Sequence, residues 1–286
     1  MASRPDKLPS ADVVSLHEAE RYLLSLGNEV SAMKLGLENI RKFLDALGNP
    51  QNNFLKVQIA GTNGKGSVCA FLDSICNTAG IKTGTFTSPH LVSITERIRI
   101  NGHDISEDDF ARHADHVRRT AEEMLSSGEL EYRPTFFEQI TAIALIACAE
   151  ADVELAILET GLGGRLDATT AANAEIAAIT RIDLDHQEYL GNTIEQIAVE
   201  KAAIIREHTK AVVIGEQKTE ALSVIEERVR TACVSGRHIH ARTASLVETA
   251  KLGLRGNHQR ENALIVTTSA ISMAFATPSL TKTFCF

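Results

Sequence analysis

The run Ile59-Ala60-Gly61-Thr62-Asn63-Gly64-Lys65-Gly66-Ser67 constrains this chain more than any other stretch, because it sets a glycine-rich turn and one lysine between two apolar segments of different period. Upstream, Phe54-Leu55-Lys56-Val57-Gln58-Ile59-Ala60 reads as a buried strand. Downstream, Val68, Phe71, Leu72 and Ile75 recur at helical spacing, and Gly80 marks a helix end. In such a turn glycines let backbone N–H groups approach an anion, the helix N-terminus adds partial positive charge, and Lys65 adds a full one. The strict nucleotide-loop pattern G-x-x-x-x-G-K-[ST] fails, since Ile59 stands at its first glycine and Gly66 separates Lys65 from Ser67. The strand–loop–helix context holds on both sides; the plain alternative is a tight connection without a ligand.

Composition narrows the class. With 286 residues, 44% of them hydrophobic, the chain can bury one large core or two modest ones. A net charge of −8 argues against nucleic-acid binding, so an anionic ligand must find local positive charge. Five widely spaced cysteines (Cys69, Cys76, Cys148, Cys233, Cys285) do not read as a disulfide framework or a zinc site. Met1 to Ser10 has no apolar targeting core, and no segment approaches the roughly 20 apolar residues of a membrane span. The expected setting is the cytoplasm.

Along the chain, helices are expected at 11–26 and around Leu37, Ile40, Leu44 and Leu47, together capping a sheet. After the loop helix come a short strand at 81–87, an alternating strand at 94–100 and the hairpin dipeptide Asn101-Gly102. Capping-box patterns start helices at Ser106 and ahead of 140–149. Strands follow at 153–158, 176–180 and 211–214, with a helix at 193–206, a β-like region at 239–247 and a helix at 259–275. The fold class is α/β, a P-loop-type, mostly parallel sheet flanked by helices.

In such sheets ligands bind beyond the carboxyl ends of the strands. There the sequence places the phosphate loop, Thr87-Ser88-Pro89-His90, the stretch from Glu159 through Gly161, Gly163, Gly164 and Arg165 to Asp167, and Asp183-Leu184-Asp185-His186. Magnesium serving a nucleotide takes few protein ligands, and Glu159 with a hydroxyl and His186 meets that need. Each also has a structural reading alone: Glu159 as a strand terminus, His186 as a loop histidine, Ser88 as a turn residue before Pro89. Thr135-Phe136-Phe137-Glu138 reads as a capping box, Lys201 as a solvated surface charge and Asn262 as a helix-entry residue.

Gly61–Ser67, Thr87–Leu91, Glu159–Asp167, Asp185-His186, Glu200-Lys201-Ala202 and His258-Gln259…Asn262-Ala263 together resemble the folylpolyglutamate synthase/dihydrofolate synthase family, a branch of the Mur-type ATP-dependent amide ligases. The resemblance implies a Mur ligase central domain-like fold and ATP-dependent joining of L-glutamate to a pteroate or folate carboxylate through an acyl phosphate. It implies ATP contacts at Thr62, Asn63, Gly64, Lys65, Gly66, Ser67 and Asn262, and Mg2+ at Ser88, Glu159 and His186. By the same resemblance Lys201 is a carbamylated lysine supporting a second Mg2+, catalysis rests on Lys65, Glu159, His186 and Lys201, and the pterin meets Thr135, Phe136, Phe137, Glu138, Leu166, Asp167 and Ala168. Thr170 departs from the family's asparagine. Residues 1–276 are expected to form the ATP-binding domain and 277–286 an atypical tail, with the family's C-terminal Rossmann-like domain absent. Partners are expected to be small molecules only, with no nucleic acid or membrane and a monomeric full-length form. The rival is a non-catalytic ATP-binding fragment. A peptidoglycan-type Mur ligase would carry a whole domain before the loop, and a switch-type NTPase would carry Ser or Thr where Gly66 stands.

Overall fold

The computed structural model describes residues 15–27 and 36–232, the backbone of 237–240, and residues 258–259, 262–263 and 265–266, which are helical. The expectations for 1–14 and 241–247, most of the 259–275 helix and the 277–286 tail lie outside the described residues.

Helix α1 (Leu16–Ser25) starts at a complete Ser15/Glu18 capping box, and α2 (Glu38–Ala46) buries Ile40, Phe43 and Leu44. Strand β1 (Leu55–Ala60) feeds the glycine loop and α3 (Lys65–Thr78). Then come β2 (Thr83–Phe86), β3 (Ile98–Ile100), β4 (His103–Asp104), α4 (Glu107–Ser127) and α5 (Phe136–Glu150). The second half runs β5 (Leu155–Glu159), β6 (Ile176–Ile179), the single turn α6 (Gln187–Leu190), α7 (Ile194–Ala202), β7 (Ala211–Ile214), α8 (Thr219–Thr231) and β8 (Arg237–His240).

These strands form one sheet in the order β4-β3-β2-β5-β1-β6-β7-β8. From β2 through β8 neighbours pair in parallel; β3 and β4 add an antiparallel edge. The period of two along each strand assigns its faces. On one side Val57, Ile59, Leu155, Ile157, Ile176 and Ala178 pack against Val68, Cys69, Leu72 and Cys76 of α3, with Ile265 and Val266. On the other, Ala60, Ala177, Ile179, Val212 and Ile214 meet α7 and α8. Beside them α5 covers β2 and β5 and is buried at every residue but Glu150, because α1 and α4 cover its outer side. The two N-terminal helices therefore cap the α4–α5 layer and not the sheet, a correction to the expectation.

Two further differences have local causes. The alternating stretch 94–100 begins as a 3-10 turn, Ile94–Arg97, since Ser93 and Glu96 close a capping box there; only Ile98–Ile100 is extended. Asn101 and Gly102 then adopt φ of 51° and 81°, the left-handed pair that a two-residue hairpin turn needs. Helix α8 has no counterpart in the sequence reading, because it is rich in Glu and Arg and only Ala221, Ile225 and Val229 are buried, a stripe at intervals of four.

Phe86 is fully buried at the end of β2, its ring 5.8 Å from that of Phe137. Phe86→Ala should cost about 3–5 kcal/mol, measured as a fall in the urea midpoint at unchanged slope.

Candidate active site

The strand order brings the three sequence segments β2, β5 and β1 side by side, so their carboxyl ends form one rim. On that rim the loop after β1 is held from both sides. Thr62 N–H donates to Arg181 O (2.9 Å), while Thr62 Oγ1 donates to Asp183 O (2.9 Å) and accepts from Asp183 N–H (3.0 Å). Gly61 has φ 152°, and a Cβ there would fall 1.8 Å from Thr180 Oγ1; at Gly64, φ 88°, it would fall 2.4 Å from Asn262 Oδ1. No other residue fits these two positions without displacing its neighbour. Gly64 N-caps α3 without a side-chain acceptor, leaving the 14-residue helix's amino end to a ligand. Asn63 and Gly66 are exposed, Ser67 is half-buried in the first turn, and Lys65 Nζ folds over the loop to donate to Gly61 O (3.2 Å) and Thr62 O (3.4 Å).

Glu159 closes β5 and is 5% exposed, and its Oε2 accepts the Ser88 N–H at 3.2 Å. Burial pushes its carboxyl above the ordinary range, while Lys65 and the Ser88 N–H pull it back. Both its oxygens lie close to Gly66, where a Cβ would sit 3.7–3.8 Å away. Lys65, Ser88 and Glu159 are thus brought together.

His186 comes from the other side of β1, after β6. It has φ 46°, its ring is half-exposed with Nε2 3.5 Å from Asp185 Oδ2, and its loop is tied to the phosphate loop through Thr62 and Asp183. No described hydrogen bond links His186 to Ser88 or Glu159, and among the described residues no cluster of three His, Cys, Asp or Glu side chains could hold a metal alone. A metal here needs the Ser88 hydroxyl and ligand oxygens as well.

Lys201 corrects the sequence reading. It is 3% exposed, not solvated, and its Nζ donates to Gly61 O at 2.9 Å. Burial, then the Lys65 charge, lower its pKa to about 8, against weaker support from Asp185 and Asp167.

Asp167 organises the next loop: Oδ2 accepts Gly161 N–H (2.9 Å) and Leu162 N–H (3.0 Å), and Oδ1 accepts Thr169 N–H (3.0 Å). Full burial raises its pKa despite those bonds. Thr135 and Glu138 make the expected capping box in both directions. Phe136 lies 5.2 Å below the Arg97 guanidinium, and Phe137 packs on Gly161, where a Cβ would be 2.5 Å from its ring. Ala168 is buried and Leu166 half-buried beside Asp167. Asn262 is buried at Gly64 and donates to Gln259 Oε1 (2.9 Å).

Gln58 was missed. Its Nε2 lies 3.1, 2.9 and 2.8 Å from the hydroxyls of Thr160, Thr169 and Thr170, joining the strand before the phosphate loop to the Asp167 loop. The available signal was one amide in a strand buried on both faces.

A positive, glycine-built cradle at a helix amino end, facing a buried carboxylate, is an arrangement suited to a nucleotide phosphate on an α/β sheet. The Mur ligase middle domain model matches residues 59–270. Dihydrofolate synthetase of Saccharomyces cerevisiae is 38% identical over 241 residues, 80% of this chain and 55% of that protein. Dihydrofolate synthase/folylpolyglutamate synthase of Bacillus subtilis is 37% identical over 254 residues, 82% of this chain and 58% of that one. Mycobacterium tuberculosis folylpolyglutamate synthase complexed with ADP superposes with a TM-score of 0.81 at 30% identity, over 91% of this chain and 62% of that chain. The chain belongs to the Mur ligase family, in its folylpolyglutamate synthase/dihydrofolate synthase branch. It spans between about half and two thirds of the length of these relatives.

The depressed Lys201 makes a signed prediction. Between pH 8 and 10.5 the unfolded chain keeps a proton at Lys201 that the folded chain has released, so the Lys201 contribution to stability rises with pH through that window, opposed at its upper end by the buried thiols Cys76 and Cys148, which are pushed up to about 12. Lys201→Met should remove this contribution, on the order of 3 kcal/mol, read as the pH-dependent difference between variant and parent in urea titrations.

Proposed function

We propose that this chain carries the ATP site and the phosphoryl-acceptor rim of a ligase that joins L-glutamate to dihydropteroate, a folate, or both. The observation that carries this reading is the Gly61–Ser67 cradle with Lys65 set against the buried Glu159–Ser88 pair. The activities for which the relatives are named, and the ADP of the M. tuberculosis structure, support the choice of substrates.

In the reaction, a pteroate or folate carboxylate oxygen takes the γ-phosphoryl group of ATP and releases ADP. The glutamate amine then attacks the acyl carbon, phosphate leaves, and the amine gives up a proton as the amide forms. Each stage concentrates negative charge, so positioning and fixed positive groups dominate. Gly64, Gly66 and Ser67 would hold the phosphates through the backbone, while Thr62 and Asn63, whose amides donate to Arg181 O, would shape the loop beside them, with Lys65 supplying charge and Asn262 bracing Gly64. Ser88 and Glu159 would offer magnesium a hydroxyl and a carboxylate oxygen, held near one another by the Ser88 N–H donated to Glu159 Oε2, and His186 completes the proposed set. Magnesium, when bound, would neutralise phosphate charge. Phe137 and Asp167 both meet Gly161, and Leu166 and Ala168 flank Asp167 along the chain; a flat aromatic substrate would lie against this loop. Lys201 has the chemistry for carbamylation: a pKa near 8 leaves a neutral amine fraction that adds CO2 and releases a proton, giving an anion for a second magnesium. The buried free thiols Cys69, Cys76 and Cys148 suit the reducing cytoplasm in which we place the reaction.

Glutamate-dependent phosphate release, assayed with dihydropteroate and tetrahydrofolate separately, tests the proposal; release with either supports it and identifies the acceptor. No release with either, alongside measurable ATP binding, would assign the chain to ATP binding alone. Lys65→Ala should abolish nucleotide binding in calorimetry, and Glu159→Ala should chiefly raise the magnesium concentration needed for it. Unchanged ATP affinity in Lys65→Ala would sink the site assignment.

A further inference from the structure

A second concavity, of about 540 Å³, lies between α7 and α8. Its floor is apolar, with Val199 and Val224; Arg165, Arg206 and Arg228 stand around it, and at its edge Glu227 is paired with Arg230, which leaves the lining in positive excess. The volume falls in the range of small-molecule sites.

The arginines are unevenly balanced. Arg165 donates from Nε to Glu200 Oε1 at 2.9 Å and is thereby paired. Arg228 donates from Nε to the Ile205 carbonyl at 2.8 Å, a neutral acceptor. Among the described residues the buried Nε of Arg206 has no hydrogen-bond partner, and its Nη2 reaches the Arg165 carbonyl at 3.5 Å. Burial lowers its proton affinity, the charges of Arg41 and Arg228 lower it further, and Glu207 offsets them only in part. A buried donor without an acceptor costs free energy, and like charges add to that cost. In a chain of net charge −8, such a local positive excess over an apolar floor calls for a counter-anion with an apolar body.

We propose that the α7–α8 groove binds a small organic anion, an apolar body carrying a carboxylate or phosphate head that Arg206 and Arg228 grip. Guanidinium groups engage either head in a planar, two-point contact. The site is separate from the phosphate cradle: α7 turns Lys201 to Gly61 and Val199 to the groove, so the two share a helix and no side chain. Arg165 belongs to the same loop as Asp167, and its N–H donates to Glu200 O on α7 (3.0 Å). An anion in the groove would therefore bear on the loop that forms one wall of the active site.

Isothermal titration calorimetry of the chain with 4-phenylbutyrate, phenyl phosphate and inorganic phosphate tests this. Saturable binding of at least one aryl probe is expected, weakened about tenfold or more in Arg206→Met, abolished in Val224→Trp, which fills the groove and leaves every arginine in the chain, and unchanged in Lys65→Ala. The tighter of the two aryl probes identifies the head group. Absence of saturable binding by both, binding that survives both groove substitutions, binding lost in Lys65→Ala, or inorganic phosphate binding as tightly as phenyl phosphate would each overturn the proposal. Cooperative urea unfolding of each variant separates a lost site from a lost fold.

Discussion

The close approach of two chain segments at Gly61 is the constraint on which the rim depends. Its Cα sits so near Thr180 that no side chain fits, and its carbonyl accepts from two ammonium groups at once, Lys65 at 3.2 Å and Lys201 at 2.9 Å. One neutral oxygen shared between two cations leaves most of their charge unbalanced, which is part of why Lys201 holds its proton weakly. Asp185 and then Asp167 support Lys201 only weakly, and Glu159, which feels Lys65, is buried and raised, as is Asp167. The cradle is thus organised around positive charge before any phosphate arrives, which is how a preformed site stabilises a developing anion.

Beneath it runs a polar network in an otherwise apolar core. Gln58 projects from β1 on the side away from α3 and gathers the hydroxyls of Thr160, Thr169 and Thr170; Thr169 in turn meets Asp167, whose other oxygen holds the Gly161 and Leu162 amides. Such a network is costly when half satisfied and stiffening when complete. Here it fixes the loop after β5 relative to the strand that carries the phosphate loop, so two separate stretches of sequence move as one wall.

Much of the architecture was legible because local physics and tertiary context agree. The strand–loop–helix unit at 54–78, the Asn101-Gly102 turn, the Ser106 and Thr135 caps and the strand at 211–214 lie where periodicity and turn chemistry put them. Failure came where they compete. Ile94–Arg97 alternates like a strand but is wound into a turn by its own Ser93–Glu96 cap. Helix α8 presents so much charge that its narrow buried stripe is masked, and α1 and α2 meet other helices because α5 already occupies the sheet face beside β2 and β5.

The sequence by itself determined that a glycine-rich loop with one lysine sits between a buried strand and a helix, that hydroxyl, carboxylate and imidazole follow strands of one sheet, and that the motifs belong together. Glycines, caps and period-two patterning are local properties, and local properties are written in order along the chain. Only the tertiary structure decided which of those groups meet: Glu159 on Ser88, Asn262 on Gly64, His186 held apart beside Asp185. It also turned Lys201 from an ordinary helix charge into a buried amine, because burial and the nearness of Lys65 depend on β1 and α7 being packed together across 140 residues of chain.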